Sequence, residues 1–168
     1  SLLQTALTHP SCSGERHVAN YQRLEFLGDA VLQLAISRFL FDHYPDQEGK
    51  LSRARARLVC EDSLFEASHQ YHLGDYLILS SGEERMGGRE RPSILADATE
   101  AVFAAVYLDG GIEAASALIH RVLLDEEGEH AEELVQDYKT ALQELIQRKS
   151  GQQLSYRMVG ESGPDHNK

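Results

Sequence analysis

NYQRLEFLGDAVLQLA, Asn20–Ala35, decides the fold class of this 168-residue chain. From Leu24 to Phe41 the apolar residues Leu24, Leu27, Val31, Leu34, Ile36 and Leu40 recur at helical rather than strand spacing, and Pro45 closes the pattern. A long buried helix is predicted there. Moving outward, Glu48–Val59 and Asp62–Tyr71 read as two more helices, the second closing at Gly74, and SLLQTALTHP at the start reads as helix as well. SSGEERMGGRERP, Ser80–Pro92, is rich in glycine and mixed charge and reads as a loop. Ser93–Leu108 is a run of Ala, Val and Leu that stops at Gly110 and Gly111, as a buried helix starting near Pro92 would, and Ile112–Leu124 is amphipathic. No strand alternation interrupts this series, so the first ~125 residues are predicted to form an all-α bundle.

The same stretch carries the chemistry. Glu25 and Asp29 are four residues apart and share one helix face, with Cβ atoms ~5–6 Å apart. Phe26 and Leu27 lie between them, and Gly28 sits in a helix interior, where it costs ~0.5–1 kcal/mol relative to Ala. That cost suggests a close backbone approach at Gly28. In SILADATEAVFAAVYLD a second pair, Asp97 and Glu100, shares a face among Ile94, Leu95, Ala96, Ala98, Ala101, Val102 and Phe103. A solvated acidic stripe is the ordinary explanation for one such pair. Two pairs on two apolar helices favour a site for a hard cation, because Mg²⁺ prefers oxygen ligands and keeps waters that a phosphate can replace.

Composition narrows the setting. A hydrophobic share of 42% with 26% charged residues suits a globular domain, and no uninterrupted apolar run approaches the ~18 residues of a membrane span, so a cytoplasmic protein without membrane attachment is expected. Cys12 and Cys60 have neither disulfide-framework nor zinc spacing. The start at Ser1, without an initiator Met, reads as a fragment boundary. A net charge of −11 does not suit a simple nucleic-acid binder, since phosphate neutralisation supplies most non-specific affinity. Clustered carboxylates that carry divalent cations, or a basic element beyond Lys168, would reconcile the two.

NYQRLEFLGDAVL resembles the signature of the ribonuclease III catalytic domain. Its companions follow in order: THPS near the start, EGKLSRARARLV at Glu48–Val59 and SILADATEAVFAAVYLDGG at Ser93–Gly111. The resemblance implies a helical catalytic domain over 1–127 and identifies Glu25, Asp29, Asp97 and Glu100 with the family's catalytic acids. Glu25, Asp97 and Glu100 would contact Mg²⁺, with Mn²⁺ as a substitute, and Asp29 would help orient the nucleophile. It further implies a homodimer that cuts double-stranded RNA by phosphodiester hydrolysis, leaving 5′-phosphate and 3′-hydroxyl ends, in rRNA, mRNA and tRNA processing. Gln22 stands where many members have Glu, so altered interface or RNA contacts are expected there. Phe26 exceeds what one bundle needs to bury and is expected at the subunit interface, and Glu48 matches a further family acid near that interface, though an acid at a helix start is also favoured by the dipole.

DEEGEHAEELVQD, Asp125–Asp137, marks an acidic connection, with the linker set at 128–136. DYKTALQELIQ and LSYRMV then read as helix and strand, and with GPDH they resemble the opening of an α+β double-stranded-RNA-binding domain over 137–168, cut off at Lys168. By that resemblance Thr140, Gln143, Gln147 and His166 match minor-groove residues. Arg53, Arg55, Arg57, Arg85, Arg89 and Arg91 are candidates for tracking the RNA backbone, with surface ion pairing as the alternative. His9 is expected to bond within its own turn, and the tyrosines to lie in the core. Two rival functions are a helical Mg²⁺-dependent nucleotide pyrophosphohydrolase and a non-cleaving RNA-binding scaffold. The companion segments weigh against the first, and retention of all four acids against the second.

Overall fold

The computed structural model describes residues 1–12 and 18–124. Over these the chain is helical: α1 (Leu2–Ala6), α2 (Gln22–His43), α3 (Glu48–Leu58), α4 (Glu61–Gln70), α5 (Ser81–Arg85) and α6 (Pro92–Leu123), with single 3₁₀ turns at Pro10–Cys12, Leu73–Tyr76 and Gly88–Glu90. Among the described residues the β-pairing is one isolated bridge, Thr8 to Ile78, which ties the N-terminal segment to the middle of the chain. The all-α expectation holds there.

Local chemistry sets the helix ends. At the start of α2 the Asn20 side chain accepts from the Gln22 N–H at 3.1 Å. At its end Tyr44 is extended, as a residue before proline must be, and Pro45 prevents continuation. Inside α2 the buried set is Leu24, Gly28, Val31, Leu32, Ala35, Ile36 and Leu40, spaced by three and four. Leu34, grouped with that stripe in the sequence pattern, lies instead on the opposite, exposed face.

α2 packs along α6, which also receives α4 and α1, while α3 rests on α2. One core cluster joins Val31, Leu32, Ile36 and Leu40 to Leu58, Leu64, Phe103 and Ile119. Each such side chain contributes ~1.5–3 kcal/mol by leaving water. The second cluster is built on Ala98, Ala101, Ala104 and Ala105 of α6, whose small side chains let Ala6, Tyr21, Leu24 and Leu77 come close.

α6 has the length and the apolar composition of a membrane span. It is nevertheless the helix on which the others pack, and it is broken at Gly111, whose φ of 81° and ψ of −176° belong to a region only glycine occupies readily. The two helices expected on either side of Gly110 and Gly111 are thus present, joined at that break. Ser80–Pro92 is more ordered than its composition suggests. Ser80 caps α5 by accepting from the Glu83 N–H at 3.2 Å, and a 3₁₀ turn follows.

Candidate active site

Gly28 is the point where α2 and α6 touch backbone to backbone. A Cβ on Gly28 would overlap the carbonyl of Glu100, so any larger residue would force the helices apart. This accounts for a glycine in a helix interior, and it fixes the site: Glu25 and Asp29 flank the contact on α2, Asp97 and Glu100 on α6.

The four carboxylates are less enclosed than the apolar neighbouring residues suggest. Glu25, Asp97 and Glu100 are half-buried and Asp29 is exposed, so they form a wall open to water. They nevertheless share one field. Burial, and then the charges of Asp29, Asp97 and Glu25, push the Glu100 carboxyl up to about 8. Burial followed by Asp97 raises Glu25. Asp97 is also raised, by burial first, against the lowering effect of a 3.4 Å hydrogen bond donated by the Tyr21 hydroxyl. Burial, Asp97 and Glu25 in turn hold the Tyr21 hydroxyl protonated far above its ordinary range. Asp29 accepts from Gln33 Nε2 at 3.4 Å.

Crowded like charges of this kind call for a cation. Among the described residues no three Asp, Glu, His or Cys side chains are gathered into a ready-made cage, and mutual repulsion gives a physical reason for the carboxylate heads to stand apart. The donor set itself, oxygen throughout and with excess negative charge, fits a hard divalent ion.

The family model for ribonuclease-III-like domains matches residues 1–127. The chain belongs to the ribonuclease III family. It is 50% identical over 169 aligned positions to Ribonuclease 3 of Syntrophomonas wolfei, spanning 99% of this chain and 72% of that protein. With Ribonuclease 3 of Pelotomaculum thermopropionicum it is 50% identical over 172 positions, covering 99% and 71%. A solved structure of the ribonuclease III nuclease domain of Campylobacter jejuni superposes with a TM-score of 0.69 at 45% identity, covering 73% of this chain and 84% of that one. That work concerns flexibility in the region involved in dimer formation of the Campylobacter domain. Ribonuclease III enzymes depend on a metal. Neither rival function finds support in these matches.

Gln22, Phe26 and Glu48, also singled out from the sequence of this ribonuclease III family member, lie exposed on α2 and α3. Gln22 is exposed in the first turn of α2, and Phe26 is 82% exposed. Glu48 opens α3, exposed, and accepts from Ser52 Oγ at 2.7 Å. Thr140, Gln143, Gln147 and His166 lie outside the described residues.

The arginines divide. Arg89 pairs with Glu84 and donates to the carbonyls of Gly74 and Leu77 at 2.7 and 2.8 Å, and Arg91 pairs with Glu83 at 2.7 Å, so both brace the Ser80–Pro92 segment. Arg85 turns back to the Ser81 carbonyl, and Arg55 donates to Ser37. Arg53 and Arg57 stand exposed on α3. Tyr21 is buried as expected of a core tyrosine, but Tyr71 and Tyr76 are exposed. His9 does bond within its turn, its Nδ1 accepting from the Ser11 N–H at 3.0 Å.

Two site neighbours escape the sequence reading. Gln33 is legible in retrospect, four residues past Asp29 on the same face. Tyr21 reaches Asp97 across 76 residues, which no local spacing encodes.

Proposed function

We propose that Glu25, Asp29, Asp97 and Glu100 form the catalytic centre of a double-stranded-RNA endoribonuclease that works with Mg²⁺ and leaves 5′-phosphate and 3′-hydroxyl ends. The observation carrying this reading is the close backbone contact of Gly28 with Glu100, which brings the acid pair of α2 to that of α6, and the raised proton affinity of Glu100 is in keeping with it. In this reading Glu25, Asp97 and Glu100 hold the ion, with Mn²⁺ as a substitute, and Asp29 orients the attacking water. A divalent ion supplies a lowered water pKa and offsets charge on the phosphate oxygens. The protein's own part is to keep three half-buried acids at fixed places on two rigid helices while leaving Asp29 accessible at the rim.

Assembly and RNA binding complete the proposal. Phe26, Ala30 and Leu34 recur every four residues on the exposed side of α2, away from its buried stripe, and an apolar strip of this kind on a helix suits a symmetric contact with a second copy. Exposed Gln22 and Glu48 are then auxiliary interface or RNA residues. Thr140, Gln143, Gln147 and His166 take minor-groove contacts, and the enzyme acts in the cytoplasm on structured rRNA, mRNA and tRNA precursors. Incubation of the chain with a long RNA duplex and Mg²⁺, with the product ends mapped, tests the reading. Cleavage to 5′-phosphate ends is expected. An intact duplex alongside hydrolysed nucleoside triphosphates would replace it with the pyrophosphohydrolase.

A further inference from the structure

The THPS segment is explained neither by the bundle core nor by the four acids. The Thr8 carbonyl and the His9 ring both meet Tyr21. The Tyr21 N–H donates to the Thr8 carbonyl at 2.9 Å, and the His9 N–H donates to the Ile78 carbonyl at 2.9 Å, so both ends of this corner are fastened. The His9 ring, oriented by the Ser11 N–H on Nδ1, meets the Tyr21 ring edge-on with centroids 5.6 Å apart. Nδ1 is therefore the acceptor and Nε2 carries the proton, which makes His9 the neutral tautomer. Tyr21 itself is 2% exposed, and its hydroxyl leaves the apolar cluster to donate to Asp97 Oδ2 at 3.4 Å. A buried hydroxyl needs a partner, and here the partner is a candidate metal-site acid on the other helix.

We propose that Tyr21 is a positioning residue for Asp97: held by the Thr8–Ser11 segment through His9, its hydroxyl engages Oδ2 and presents the carboxylate to the divalent ion in one orientation. This rests on the reading of Asp97 as a metal-site acid. Without the hydroxyl, Asp97 samples more rotamers and must be ordered when the ion binds, so the cost appears in ion affinity. At saturating ion the chemical step is little changed.

Tyr21→Phe removes one oxygen and keeps the ring, its burial and its contact with His9. In the whole chain, Mn²⁺ binding followed by calorimetry should weaken roughly three- to ten-fold, the worth of one ordinary hydrogen bond, as suits a contact of 3.4 Å. The Mg²⁺ midpoint for duplex cleavage should rise by a similar factor, with the rate at saturating Mg²⁺ near wild type and the melting temperature nearly unchanged. Asp97→Asn serves as the reference, and adding Tyr21→Phe to it should weaken Mn²⁺ binding no further. If Asp97→Asn weakens Mn²⁺ binding while Tyr21→Phe leaves both the affinity and the Mg²⁺ midpoint unchanged, the positioning role is overturned and the four-acid reading stands. If Asp97→Asn itself changes neither, both fail together.

Discussion

Glu100 is the most informative single residue because its proton reports on three other side chains. Its carboxyl, ordinarily near 4.5, is pushed up to about 8 by burial and by Asp29, Asp97 and Glu25. The folded chain therefore binds this proton more tightly than the unfolded chain does. The linked stability is fully present below pH ~4.5 and is lost as pH rises through about 8. A metal-free sample should accordingly melt at lower temperature at pH 8 than at pH 6. Glu100→Gln should cancel most of that difference. After allowance for water reaching a partly exposed carboxyl, the gain at pH 8 is on the order of 1 kcal/mol, or about 4 °C. A wild-type melting temperature that rises between pH 6 and 8 without metal would contradict the shared field. The same variant and Asp29→Asn should lose cleavage by 100-fold or more, on the order of 3 kcal/mol of transition-state stabilisation, while circular dichroism and dimerisation stay intact. Near wild-type cutting of duplex RNA by both would remove these acids from the catalytic centre.

Between α2 and α6 the decisive term is steric, and its sign opposes helix propensity. Replacing Gly28 by Ala should stabilise an isolated α2 by ~1 kcal/mol. In the folded chain the added methyl meets the Glu100 backbone, which cannot move aside as a flexible side chain would, and separating two packed helices costs ~3 kcal/mol or more. Packing wins, so Gly28→Ala should lower the melting temperature by roughly 10 °C and reduce cleavage even in the surviving folded fraction. An unchanged or raised melting temperature would show that the helices do not touch there. The Ser80–Pro92 segment teaches a related lesson. Its glycines and charges look like a solvated loop, yet Arg89 is consumed in holding Gly74 and Leu77 and Arg91 in pairing with Glu83.

For the molecule as a whole, the distribution of apolar surface is the main guide. Phe26, at 82% exposed, and Phe41, at 74%, share α2 with residues buried almost completely, so the helix has one face for its own core and another that a lone subunit leaves in water. Phe26→Asp should leave the subunit folded, since the side chain contacts little within it, yet weaken self-association by about thirty-fold or more, the effect of losing an interface anchor of ~2 kcal/mol. Sedimentation of wild type and variant across micromolar concentrations reads this directly. A variant dimerising as tightly as wild type would move the interface elsewhere, and a wild-type monomer that cleaves duplex RNA would remove it.

The helices, their approximate ends and the two acid pairs were legible along the chain, because 3.6-residue periodicity, proline stops and i,i+4 or i,i+3 spacing are local properties. So was the significance of Gly28, whose cost in a helix is visible before any partner is known. The placement of Leu34 on the outer face, the ordering of Ser80–Pro92 by Arg89 and the half-open setting of the acids were not. Each depends on which residues of distant segments occupy the facing space. The link from Tyr21 to Asp97 is the clearest case: composition shows a tyrosine and an acid, and only the packing of α2 across α6 brings that hydroxyl to that carboxylate, because burial leaves it no water to bind.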